Sequence, residues 1–173
     1  MPLPYENLLI GLAEVAAAFV GFSLVIEVLR AEATDLPREA QRLYSMRDVA
    51  EVGLIAAGAA FLPLVIHSFE AGHGTVWRLG SGILFVVAGA SALFSFARHG
   101  AASPRGLLGE LRASPVRSGL IQSLNLGSFG LLLSNVVAPG ATSGARYIAA
   151  VLGALAVAGI IFVTETFSDR PAA

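Results

Sequence analysis

Five long apolar stretches dominate the chain, at about 7–29, 47–69, 77–98, 117–138 and 146–168. Each is long enough to cross a bilayer, whose ~30 Å hydrocarbon core takes roughly 20 residues at about 1.5 Å rise per residue. None carries along its length the polar face of a water-soluble core helix. The pattern predicts an all-α fold, a polytopic transmembrane bundle of five helices forming a single domain over 1–173.

The polar segments between them predict the connections. Two are tight and contain Gly, near 70–76 and 139–145, as sharp turns require. The other two are longer. In the first, Pro37 suits the opening turn of a helix that runs on into the second span, with Arg38, Glu39 and Arg42 at its wet end. In the second, Ser103-Pro104 and Ser114-Pro115 are both helix-start signals, a Ser cap followed by Pro. A short amphipathic helix is expected near 104–113, with Leu107, Leu108 and Leu111 toward the interface, and the fourth span is expected to begin at about Pro115.

Arginine distribution orients the bundle. Arg30, Arg38, Arg42 and Arg47 cluster around the first long loop, and Arg98, Arg105, Arg112 and Arg117 around the second. The tight loops hold only Arg78 and Arg146. The positive-inside rule then puts the N-terminus outside and the C-terminus in the cytoplasm. MPLPYEN lacks the basic start of a signal peptide and the apolar run after it is too long, so the first stretch is read as a true span.

Composition narrows the function classes. Hydrophobic residues make up 55% of the chain and charged residues 13%. That is too apolar for a soluble domain of this size. Mean hydropathy is +0.75. There is no cysteine, which removes disulfides, thiolate metal sites and cysteine nucleophiles. The net charge of −1 gives nucleic-acid binding no electrostatic basis. All 11 basic residues are Arg, as a GC-rich, bacterial coding sequence would give. Ala-Glu-Val occurs at 13–15 and again at 50–52, but three residues in an alanine-rich chain do not establish an inverted repeat.

Lipid offers helices no hydrophobic reason to associate, so small residues mark packing faces. They are spaced for this at Ala13, Ala17 and Gly21 in span one, and at Gly53/Ala57 and Ala56/Ala60 in span two. Span four has Ser123, Gly127, Gly130 and Ser134, and span five has Ala150, Ala154 and Ala158. This favours a tight bundle, with any pore between protomers. Pro63 frees the carbonyl of Ala59 and is expected to kink span two.

Span four is the most polar, with Ser118, Gln122, Asn125, Ser128 and Asn135. At helical spacing these five fall in one sector of roughly 140°. From Gln122 to Asn135 they cover about 20 Å of axis. They fit either a wall lining a solute or ion path, or interhelical hydrogen-bond glue. Glu14 is the other anomaly. Glu27, Glu51 and Glu165 lie near the Arg-bearing membrane edge, where Arg30, Arg47, Arg98 and Arg117 can pair with them. Glu14 lies inside span one with no basic neighbour. Its insertion costs about 2.5–3.5 kcal/mol. Thirteen Leu, Ile, Val and Phe residues in 7–29 outweigh this at about 0.3–0.6 kcal/mol each. Insertion therefore neither requires nor forbids a role. Burial would favour its protonated form, able to donate to an acceptor. Its partner is expected from span four or from a neighbouring protomer across Ala13, Ala17 and Gly21.

Other chemistry is thin. His67, Glu70 and His73 include metal-ligating types, but Gly72 breaks the helix between the two histidines, and no metal or cofactor is expected. Leu79-Gly80-Ser81-Gly82 lacks the first Gly of an intramembrane serine-protease motif, and no mid-span His could serve as its base, so no catalytic residue is assigned.

One set of short motifs recurs together: Ala13-Glu14, Phe19 and Gly21-Phe22, then Arg42-Leu43, Phe61-Leu62-Pro63, Trp77-Arg78 and Ser81, with Asn125 and Phe162 beyond them. In these the chain resembles a family of uncharacterised bacterial small multi-pass inner-membrane proteins, closely as far as about Phe85 and loosely thereafter. The resemblance implies a bacterial inner-membrane protein in which Glu14 is a recurrent feature. The reading is a self-associating membrane protein, an ion or small-solute channel or transporter with Glu14 and the span-four amides as polar contacts. Its competitor is a structural or accessory subunit of a larger membrane complex.

Overall fold

A computed structural model describes residues 3, 5–33, 39–102 and 115–167. The expected amphipathic helix at 104–113 and the Pro37 helix start lie outside them. Among the described residues there is no strand. Five helices account for nearly all of them: α1 (Glu6–Ala33), α2 (Glu39–Ser68), α3 (His73–Ala102), α4 (Pro115–Val137) and α5 (Ser143–Phe167). Each contains a segment long and apolar enough to cross a membrane, from Glu6–Ile26 to Ser143–Thr164. The chain is a small multi-pass membrane protein.

The expected fourth-span start at about Pro115 matches the first residue of α4. The third helix starts earlier than the hydrophobic run suggests, at His73 rather than near Trp77. The reason is local. Glu70 takes the left-handed conformation (φ 59°) that ends α2. Such a residue is a common helix terminator. The Gly72 carbonyl at once accepts the Thr75 and Val76 amides, at 2.9 and 3.0 Å. Glu70 thus ends α2, and Gly72 opens α3. The α4–α5 turn closes the same way, with the Ser143 amide bonded to the Gly140 carbonyl and the Gly140 amide to the Ser143 hydroxyl.

Helices α2, α3, α4 and α5 form a ring in chain order, with α5 returning to α2. Helix α1 lies outside this ring, packed along α2 and touching α5. It has no contact with α4 among the described residues. The inward face of α1 is Leu9, Leu12, Ala13, Ala16 and Ser23. The close approach to α2 is at Gly53, where a Cβ would come within 2.8 Å of Val20 Cγ2 and 3.6 Å of the Ala16 carbonyl. Ala56 and Ala60 are also buried there. The packing face expected at Ala13, Ala17 and Gly21 therefore divides. Ala13 points inward, while Ala17 and Gly21 lie on the exposed side, and nothing stands within 4 Å of a Cβ on Gly21.

Edge-to-face aromatic pairs brace the bundle: Phe19 with Phe162 between α1 and α5, and Phe85 with Phe129 between α3 and α4. At the end bearing the short turns, Tyr5, Trp77 and Tyr147 close the bundle over Gly144. A Cβ on Gly144 would meet Tyr5 Cε2 at 2.9 Å and Trp77 Cε2 at 3.1 Å, so only glycine fits beneath these rings.

Candidate functional site

Helical spacing carries one stripe from each ring helix into the centre. These are Glu51, Ile55, Ala59 and Pro63 on α2; Ser81, Leu84, Ala88 and Ser91 on α3; Asn125, Ser128, Leu132 and Asn135 on α4; and Ser143, Tyr147, Val151 and Ala154 on α5. The polar members of these stripes stand at distinct depths.

At the short-turn end, Asn135 is fully buried and its Nδ2 donates to Ser81 Oγ (3.1 Å) and to the Ser143 carbonyl (2.9 Å). A carbonyl can only accept, so this contact fixes which way the amide points. Asn135 thereby joins α3, α4 and the α4–α5 turn. Its Oδ1, facing away, is buried without a protein partner among the described residues. Next to this cluster, the Tyr147 hydroxyl donates to the Ala59 carbonyl (2.7 Å). Pro63 has no N–H with which to close the α-helical bond to that carbonyl, so Tyr147 of α5 supplies the donor that α2 lacks. Pro63 is buried and α2 continues through it.

The hydrogen bond between Asn135 and Ser81 sets the register of α3 against α4. Ten residues back along α4 is Asn125, and ten residues on along α3 is Ser91, each about 15 Å away along the axis. At that depth Ser91 Oγ donates to Glu51 Oε1 (2.5 Å). Between the two levels is a cavity of about 60 Å³, lined by Ile55, Ala56, Ala59, Leu84, Ala88, Phe129, Leu132, Ala150, Val151 and Ala154, with Asn125 and Ser128 as its polar members. Neither of those two side chains hydrogen-bonds a described residue. Ser128 Oγ itself lies against α5 at Gly153, where a Cβ would overlap it.

The polar sector of span four is thus divided by the fold. Asn125, Ser128 and Asn135 face the ring interior, Ser118 is half-buried, and Gln122 is exposed. The small-residue face is also outward. Ser123, Gly127 and Gly130 are exposed, with open space at both glycines, and Ser134 is half-buried and bonds the Leu131 carbonyl.

Glu14 is exposed on α1, opposite the face that α1 buries, and forms no hydrogen bond or ion pair with a described residue. Because α1 does not reach α4, a partner for Glu14 from span four of the same chain is ruled out by geometry. Asn7, Ala17, Ala18 and Gly21 share its side of the helix and are exposed too. The turn between α2 and α3 brings the His67 and His73 rings to 5.6 Å, despite the helix break at Gly72. Among the described residues no three ligating side chains gather into a metal site.

Sequence reasoning missed Ser81, Ser143 and Tyr147 as polar core residues. The signal for Tyr147 was present: Pro63 leaves an orphan carbonyl that some donor must meet. Compared with protein-family models, curated proteins and solved structures, the chain matches none.

Proposed function

We propose that this chain is a self-associating membrane protein that takes a small solute into the centre of its α2–α5 ring and passes it across the bilayer. One observation carries the reading: Asn125 and Ser128 face a cavity and bond no described residue. Amides and hydroxyls that serve as interhelical glue bond across helices, as Asn135 does. Polar groups left facing a hole are those a solute can use. The all-Arg composition and the resemblance carried by the first three spans support a bacterial inner membrane as its setting.

Proteoliposomes containing the full chain test this by shrink–swell light scattering with small osmolytes. Solute entry above that of empty liposomes, lost in Asn125→Leu, is expected. Permeability equal to that of empty vesicles for every solute and ion tried would end the transport reading.

A second reading is favoured by Glu14. A carboxylate on the exposed side of α1, flanked by Ala17, Ala18 and Gly21, is the composition of a face that another helix covers. That helix belongs either to a second copy or to a larger complex in which this chain is an accessory subunit. Mass in mild detergent separates the two. A closed homo-oligomer supports self-association, and stoichiometric co-purification of other chains supports the accessory role.

A further inference from the structure

We infer that the cavity between α2 and α5 selects a neutral, hydrogen-bonding molecule of about the size of formamide or methanol, and rejects ions of the same shape. This rests on the core-uptake reading above and names the ligand class of the same site. Volume sets the size, since the cavity holds about 60 Å³. A water needs roughly 10–15 Å³ of such space, so the cavity has room for a ligand of a few heavy atoms, formamide and methanol among them.

The wall sets the charge. No charged side chain lines the cavity. The nearest carboxylate, Glu51, lies one helical turn beyond Ile55 and is engaged by Ser91. An ion moved against such a wall sheds part of its hydration with no opposite charge to replace it, whereas a neutral molecule loses only hydrogen bonds that the wall can restore. The two polar residues set the chemistry. An Asn amide offers a donor and an acceptor, and a Ser hydroxyl does the same, so the ligand is one that both donates and accepts. Its apolar remainder meets Leu84, Phe129 and Leu132.

Saturation-transfer NMR on the full chain in nanodiscs tests this with isosteric pairs: formamide against formate, and methanol against methylammonium. The expected result is saturation of formamide and methanol at least about tenfold above their charged counterparts. Asn125→Leu should abolish the signal. Ser128→Ala removes a hydroxyl with little change of shape, and should weaken it while the helical circular dichroism stays unchanged. Formate or methylammonium saturating as strongly as its neutral partner would overturn the inference. So would equal signals from wild type and both variants. Binding of formamide without flux in liposomes removes the transport reading and leaves this inference standing. Flux without binding of neutral probes removes this inference alone.

Discussion

The bond from Tyr147 to Ala59 makes the sharpest energetic prediction, because Pro63 has removed the alternative partner. Tyr147→Phe keeps the ring against Trp77 and deletes only the hydroxyl, leaving the Ala59 carbonyl buried with no donor from residue 63. Stranding a buried acceptor costs about 1–3 kcal/mol. Hydrogen bonds between membrane helices average about 0.6 and reach about 1.7 kcal/mol, because the unfolded chain in the bilayer finds other partners. With its intrahelical partner gone, this one belongs at the top of that range, about 1.5 kcal/mol, or roughly tenfold in the folding equilibrium. In a Pro63→Ala background the restored amide at 63 can bond the same carbonyl, and Tyr147→Phe should then cost about 0.5 kcal/mol. Reversible unfolding of all four proteins in mixed micelles or by steric trapping gives the coupling directly, expected near about 1 kcal/mol. A coupling below about 0.3 kcal/mol, within the scatter of independent sites, would show that the hydroxyl does not substitute for the missing amide.

Three further outcomes follow from the same packing. Asn135→Ala deprives both Ser81 Oγ and the Ser143 carbonyl of their donor. It should lower stability by about 1–2 kcal/mol in the same unfolding assay. Gly53→Leu drives a branched side chain into Val20 and the Ala16 backbone. It should cost about 1–3 kcal/mol and increase the spin-label distance between α1 and α2. Gly58→Leu, at an open position, should leave that distance unchanged. Gly21→Leu, on the exposed side of α1, should leave monomer unfolding within about 0.5 kcal/mol of wild type while reducing oligomer mass in mild detergent. An unchanged mass would show that this face is not the contact between copies.

Much of this architecture is legible in the residues alone. A bilayer forces every backbone polar group to bond within its own helix, so apolar runs of the right length can only be spanning helices. For that reason the five spans, the tight turns and the start of α4 at Pro115 can be read from the chain. The orphan carbonyl of Ala59 is legible for the same reason, since a proline's missing N–H is a property of sequence. Identifying Tyr147 as its donor is not, because the two residues lie 88 positions apart and meet only through the packing of α5 on α2.

Facing is where sequence falls short. In water a helix announces its buried side by polarity, but in lipid both sides are apolar, and the helices here have almost no polar asymmetry to read. The spacing of Ala13, Ala17 and Gly21 says that they share a side of α1, and only the position of α2 decides that Ala13 turns inward with Ala16 and Ser23 while Ala17 and Gly21 stay outside. The polar sector of α4 likewise reads as one wall. The ring of helices splits it, turning Asn125, Ser128 and Asn135 inward and leaving Gln122 exposed. Sequence alone determined that Glu14 sits within a span without a basic neighbour. Tertiary structure decided that it faces away from its own bundle, because α1 packs outside the ring and has only one side left to bury.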